Sequence, residues 1–253
     1  MPRTARRKSK TGIYHIMLRG INRQDLFEDD EDRQNFIEKL AFYKEKSGYK
    51  LYGYCLMSNH IHILLEEVIE PLSLIIKRIS SSYVYYYNYK YARCGHLFQE
   101  RFKSETVENE RYFLTVLRYI HQNPIKANMV EEIKLYKWSS YNEYLYGSKM
   151  VDTEFALKLF AEDKTAAIRD FISFNNEENE DRCLEFEINK RVDDIEAREI
   201  IKEISRVNNI NELQYLEKDE RNEIIKRLKE LEGLSIRQIA RIIGLSYNLV
   251  QKL

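Results

Sequence analysis

Residues 49–66 read YKLYGYCLMSNHIHILLE, and the fold turns on how this stretch is read. Apolar and aromatic residues fill Tyr49 to Met57, Ser58-Asn59 makes a tight polar connection, and His60 to Glu66 is a second apolar-rich run. The pattern predicts a β-hairpin. In a strand, residues i and i+2 project from the same face. His60 and His62 therefore point together while Ile61 turns the other way, toward the core. Two neutral imidazoles on one face are half of a divalent-metal site. Such a pair can also be plain strand surface, but here it takes two of only five histidines in the chain.

Outward from the hairpin, further elements follow in a definite order. Gly12 to Arg19 reads as a strand with apolar Ile13, Ile16 and Leu18. Asp29 to Lys46 opens with acids, which suit a helix N-terminus, and spaces Phe36, Ile37, Leu40, Ala41 and Tyr43 at helical period. Pro71 to about Tyr91 reads as a second helix with a ladder of tyrosines between 83 and 91, read as core and helix surface rather than a base-stacking platform. Gly95 to Val107 is a turn and a strand. Asn109 caps a helix expected from Glu110 to Gln122, with Asn123-Pro124 as its stop. The order strand, helix, strand, strand, helix, strand, helix predicts an α+β fold, a ferredoxin-like antiparallel sheet with packed helices. An all-α C-terminal region follows it.

Tyr119 lies late in the helix of residues 111–122. A phenol, with pKa near 10, attacks phosphorus well only where a metal polarises the phosphate or a base takes its proton. Gln122 and Asn123, three and four residues on, each place an amide oxygen on the tyrosine's side of a helix. With 19 tyrosines in the chain, Tyr119 gains weight only from its neighbours in the sequence.

Those neighbours carry a resemblance. YCLMSNHIHILL (54–65), GHLFQERFKS (95–104), RYIHQNPIKANMV (118–130) and Trp138-Ser139-Ser140-Tyr141 resemble, in order and spacing, the HUH single-strand DNA transposases, within them the REP-associated tyrosine transposase group. The similarity spans about Gly12 to Gly147. It implies that His60 and His62 bind Mg²⁺ or Mn²⁺ and that Tyr119 attacks a phosphate of single-stranded DNA. A 5′-phosphotyrosyl link and a free 3′-OH would result, later rejoined. Related enzymes place a glutamine one turn after the tyrosine as third ligand. That position here is Asn123, also an oxygen donor. Asn59 would shape the turn before the histidine pair. The implied partner is single-stranded DNA with hairpin or repeat ends, and a homodimer stays open.

Charge agrees with a polyanionic partner. The whole chain is neutral, but residues 1–150 hold 24 Lys+Arg against 18 Asp+Glu, and the remainder carries the balancing acid. Arg3, Arg6, Arg7, Lys8 and Lys10 form a basic arm. Arg101 and Lys103, two apart in the expected strand, would face phosphates together.

After Gly147 the composition becomes acidic. Three regions are expected: a nuclease domain over 1–148, an acidic helical linker over 149–194, and a helical domain over 195–253. GLSIRQIARIIGLSYNLVQKL (233–253) resembles a helix-turn-helix. Gly244 suits the turn, Ser246 caps the second helix, and Leu249 and Val250 anchor it. Arg237, Tyr247, Asn248, Gln251 and Lys252 would then meet duplex DNA. The compact REP-associated relatives lack this part.

Other classes are excluded or weakened. No run approaches the roughly 18 apolar residues of a membrane span, and the basic start leads into no apolar signal core, which points to the cytoplasm. Cys55, Cys94 and Cys183 are far apart and form no metal pair or disulfide framework, so buried reduced thiols are expected. The rival functions are a catalytically idle DNA-binding regulator and a hydrolytic metal phosphodiesterase. An RNA-binding sheet module lacks its aromatic strand motif.

Overall fold

The computed structural model describes residues 6–148, 150–184, 192–207, 209–231 and 233–253. The chain divides into two compact units, 1–185 and 186–253. Arg3 of the basic arm lies outside the described residues.

The first unit runs β1 (Ile13–Arg19), α1 (Asp30–Ser47), β2 (Lys50–Leu56), β3 (His60–Glu66), α2 (Leu72–Lys90), β4 (Lys103–Thr106) and α3 (Glu110–Lys126). The strands form one antiparallel sheet in the order β2-β3-β1-β4, the ferredoxin-like arrangement expected from the sequence. Local chemistry fixes the elements. Asp29 and Asp32 make a reciprocal capping box at the start of α1, and Gly48 ends the helix in the left-handed region (φ 64°); such a cap stabilises by about 1 kcal/mol. Met57 N–H donates to the His60 carbonyl at 2.9 Å, closing the hairpin at Ser58-Asn59. The tyrosine ladder ties α2 to the start of α1. Tyr83 and Tyr87 are buried, and the hydroxyls of Tyr83, Tyr87 and Tyr91 donate to the Leu26 carbonyl, Glu28 and Asp32.

Pairing assigns the sheet's faces. Met17 stands opposite His62, Arg19 opposite His60, and His15 opposite Glu105. One face therefore carries His15, Met17, Arg19, His60, His62, Lys103 and Glu105, and α3 lies on it. Ile16, Leu18, Ile61 and Ile63, all buried, line the other face, left to α1 and α2. Gly53 allows α3 its close approach: a Cβ there would sit 2.8 Å from Leu117 Cδ1 and 3.4 Å from Ser140 Oγ.

Expectations about α3, Arg101 and the thiols change. Helix α3 does not stop at Gln122; it continues to Lys126 with Pro124 inside. A proline so near the end removes one hydrogen bond, and the turn still closes beyond it, Ala127 N–H reaching the Asn123 carbonyl at 2.9 Å. Arg101 precedes β4, whose first residue is Lys103, so strand alternation does not pair the two. Cys94 is exposed, whereas Cys55 is buried in β2 and Cys183 is half-buried after α6.

Much of the stretch expected as linker is packed structure. Helices α4 (Tyr141–Tyr146), α5 (Thr153–Lys158) and α6 (Lys164–Asn176) follow α3. Ala156, Leu157, Ala167 and Phe171 belong to the same core as the sheet. Phe171 stacks on Tyr144 (centroids 4.5 Å apart) and on Tyr141 (5.6 Å), and meets His121 edge-on at 5.8 Å. Glu154, Glu162, Asp163, Glu178 and Glu180 are exposed, which is why composition alone hides this packing. Residues 185–191, also in the expected linker, lie outside the described residues.

The second unit is helical: α7 (Asp194–Ser205), α8 (Lys218–Glu230), α9 (Ile236–Ile243) and α10 (Tyr247–Lys252). Its own core includes Ile201, Leu213, Ile225, Leu228, Ile239, Ile243 and Val250. Gly244 (φ 77°) ends α9, and the Ser246 side chain accepts from Leu249 N–H to cap α10. Val250 anchors α10 as expected, but Leu249 is 36% exposed. In so short a helix only one of two adjacent positions faces inward. No helix among the described residues is long and apolar enough to cross a membrane.

Candidate nuclease site

The centre of the histidine face gathers His15, His60, His62 and Tyr119. The ring centroids of His60 and His62 are 5.0 Å apart. The Tyr119 ring lies 5.6 Å from that of His62 and 5.9 Å from that of His15. His62 and Tyr119 are almost wholly covered, while His60 reaches the surface. The structure thus places side by side the histidine pair and the tyrosine that the resemblance pointed to.

His60 and His62 are each held through Nδ1. His60 Nδ1 lies 2.7 Å from Asn59 Oδ1. An amide oxygen only accepts, so His60 Nδ1 carries the proton and Nε2 is the basic nitrogen. His62 Nδ1 is 3.0 Å from His15 Nε2. Burial pushes the pKa of both His15 and His62 down, for His62 reinforced by His15 and His60. They are neutral, the state in which imidazole binds metal.

The two amides after Tyr119 differ sharply. Gln122 is buried and turned away: its Nε2 donates to the carbonyls of Asn175 (2.8 Å) and Glu177 (3.0 Å), and its Oε1 accepts from Asn179 (2.8 Å). Asn123 stays on the tyrosine's side, its Nδ2 donating to the Tyr119 carbonyl at 2.8 Å, which directs Oδ1 away from that carbonyl. Among the described residues no three His, Cys, Asp or Glu side chains are grouped to hold a metal. Two imidazoles and an amide oxygen are donor types that would fit a divalent ion also taking oxygens from phosphate and water.

The back of α3 is clamped. Arg118 Nε donates to Asp181 at 2.8 Å and its Nη1 to Glu177 at 3.1 Å, with the guanidinium 4.0 Å from the Phe174 ring centroid. His121 is buried between Ser140 Oγ (2.9 Å) and Asn175 Oδ1 (3.2 Å), and its pKa falls to about 3 through burial. It is a structural residue.

Beside the histidine face an open cleft of about 830 Å³ is lined by Arg6, His96, Phe98, Arg101, Phe102 and Lys103 among others. The Arg6 guanidinium sits 3.7 Å over the Phe102 ring and donates to the Phe102 carbonyl at 3.0 Å. Arg7 and Lys8 are exposed nearby in sequence. In the second unit Arg237, Tyr247, Asn248, Gln251 and Lys252 are all exposed, with Arg237 5.9 Å from the Tyr247 ring centroid.

Sequence reasoning missed His15, Glu105 and Lys126. The signal for His15 was a lone histidine in an otherwise apolar strand. Glu105 stands directly across from it. Lys126 Nζ lies 5.2 Å from the Tyr119 ring centroid, visible only once α3 is known to pass Pro124.

The fold is an α+β sheet with packed helices, and the motif order resembles that of HUH transposases. Residues 8–123 match the family model described as transposase IS200 like, so this part of the chain is similar to that family. A solved structure described as a REP-associated tyrosine transposase bound to a REP hairpin shares the fold, with TM-score 0.50 and 16% identity over 57% of this chain and 86% of that one. No curated protein matches.

Proposed function

We propose that this protein is a metal-dependent transposase that cuts and rejoins single-stranded DNA through Tyr119. The observation that supports it best is the placement of Tyr119 against His62, with His60 adjoining, on one face of the sheet. His60 and His62, through Nε2, and Asn123, through Oδ1, would hold Mg²⁺ or Mn²⁺. When bound, the ion supplies Lewis-acid polarisation of the scissile phosphate and offsets its developing charge.

The chain's own groups do the rest. Tyr119 Oη attacks phosphorus, and the bond from phosphorus to the 3′ oxygen breaks. The strand leaves with a 3′-OH that takes up the proton the phenol gives up, and the 5′ side stays on the enzyme as a phosphotyrosyl ester. Attack of a 3′-OH on that ester reverses the step, and no ATP is needed because the ester bond is conserved. Lys126, a cation beside the phenol ring, favours negative charge there. DNA approaches from the exposed His60 side. Arg6, Arg101 and Lys103 in the cleft, with Arg7 and Lys8, take backbone phosphates. The solved neighbour's REP hairpin makes a hairpin-bearing single strand the substrate to test first.

We assign catalysis to the first unit. The helix-turn-helix of the second would hold duplex DNA through Arg237, Tyr247, Asn248, Gln251 and Lys252.

The test is covalent trapping. The full chain is incubated with Mn²⁺ and labelled single-stranded hairpins from the flanks of its own coding region, then run on denaturing gels. A protein–DNA adduct is expected, absent in Tyr119→Phe and in His60→Ala. Cleavage that persists without an adduct in Tyr119→Phe would overturn the nucleophile and favour a hydrolytic phosphodiesterase. DNA binding without any cleavage would favour a regulator.

A further inference from the structure

A line of polar side chains crosses the sheet beneath the candidate site. Glu105 on β4 stands directly across from His15 on β1, and His15 is the diagonal neighbour of His62 on β3. His15 is wholly buried, and it is spent on no substrate or surface contact. Its Nε2 is 3.0 Å from His62 Nδ1. Its Nδ1, buried and with no hydrogen-bond partner at normal distance, points to Glu105 Oε2 at 3.9 Å. Glu105 is itself fixed, accepting from Leu184 N–H at 3.1 Å and from the Tyr112 hydroxyl.

The contact between two imidazoles leaves open which one donates. Glu105 decides it. If His15 carried its proton on Nε2, its bare Nδ1, which is buried, would present a lone pair to a carboxylate oxygen 3.9 Å away. With the proton on Nδ1, His15 presents N–H to Glu105 and a lone pair at Nε2. That lone pair then accepts from His62 Nδ1–H. The proton on His62 Nδ1 leaves Nε2 as its basic nitrogen, matching His60, whose tautomer Asn59 sets in the same sense.

We infer that Glu105 and His15 are positioning residues that lock His62 as the Nδ1–H tautomer with Nε2 toward a metal. The inference rests on the proposed reading of His62 as a ligand. Outer partners of this kind fix the ring's orientation and raise its basicity, and their loss typically costs about 10–100-fold in metal affinity.

The experiment uses the full chain labelled with ¹⁵N-histidine, without metal and then with Mn²⁺. Long-range ¹H–¹⁵N correlation reads the His62 tautomer, and electron paramagnetic resonance reads Mn²⁺ binding. His15→Leu removes the acceptor, His15→Gln restores an oxygen acceptor near the Nε2 position, and Glu105→Gln keeps shape while removing charge. Unfolding followed by Trp138 fluorescence checks that each variant folds. His62 is expected as Nδ1–H in the wild type and in His15→Gln, and to shift toward Nε2–H in His15→Leu. Mn²⁺ affinity falls about 10–100-fold in His15→Leu, is largely rescued in His15→Gln, and falls less in Glu105→Gln. If His62 in the wild type carries its proton on Nε2, or keeps its tautomer in a folded His15→Leu and in Glu105→Gln alike, the inference is overturned. Failure of the wild type to bind Mn²⁺ refutes the metal reading instead, and the tautomer arm still decides whether His15 orients His62.

Discussion

Replacing Phe171 by alanine separates a folded part from a tether. The ring is fully buried and lies against Tyr144, Tyr141, His121 and Phe160 at centroid distances of 4.5 to 5.9 Å. Truncating a phenylalanine in such a setting costs about 3–5 kcal/mol, from lost burial and from the cavity left behind. The upper half of that range applies, because aromatic pairs add about 0.5–1.5 kcal/mol each beyond area. A surface substitution in a linker would change stability by no more than about 0.5 kcal/mol. The two cases differ several-fold. Trp138, the single tryptophan, lies in the first unit, so its fluorescence reports that unit without interference from the second. For a unit this size, 1 kcal/mol corresponds to about 2–4 °C, so the Trp138 melting transition should fall by on the order of 10 °C. A shift within about 1 °C would refute the packing of α6 on α3 and α4, and with it the clamp on the back of the Tyr119 helix.

Two more substitutions probe the site's support. Gly53→Val drives a branched side chain into Leu117 and Ser140; it should cost about 1–3 kcal/mol in the Trp138 transition and slow adduct formation by displacing α3. A Leu117→Val partner should recover part of both, and simple additivity would mean that α3 does not press on β2. Asn123→Ala should abolish Mn²⁺-dependent adduct formation with little loss of stability, whereas Gln122→Ala should destabilise by about 1–3 kcal/mol through the buried carbonyls it orphans and keep Mn²⁺ affinity. The opposite pattern would move the third ligand to Gln122.

The sheet and its flanking helices were legible because each local signal agreed with the next. The period-two runs around Ser58-Asn59, the acids opening α1 and the Asn109 cap all named the same elements. Alternation put His60 and His62 on one strand face, while Tyr119 was picked out by the resemblance that its neighbouring motif carries. What stayed hidden depended on tertiary packing. Pro124 reads as a stop because local rules weigh one lost hydrogen bond, while the helix is held by Arg118 and Gln122 on its back. Residues 149–194 read as an acidic helical linker because their charge dominates the composition, while inward residues such as Ala167 and Phe171 decide the packing. His15 was passed over because its role exists only across strands: nothing near it in sequence announces His62 or Glu105. Leu249 and Val250 were equivalent by hydrophobicity, and only the geometry of α10 chose between them.

The three thiols stand at three depths, and that makes them a built-in chemical clock. Cys94 is in the open turn after α2, Cys183 is half-buried beside Tyr112 with its pKa raised to about 12 by burial, and Cys55 is sealed in β2. A thiol reagent will modify Cys94 at once. It will reach Cys183 only when the segment after α6 lifts from α3, and Cys55 only when the sheet itself opens. Mass spectrometry of the labelling course therefore times local release of the Tyr119 helix separately from global unfolding, in the natural sequence and without an added probe.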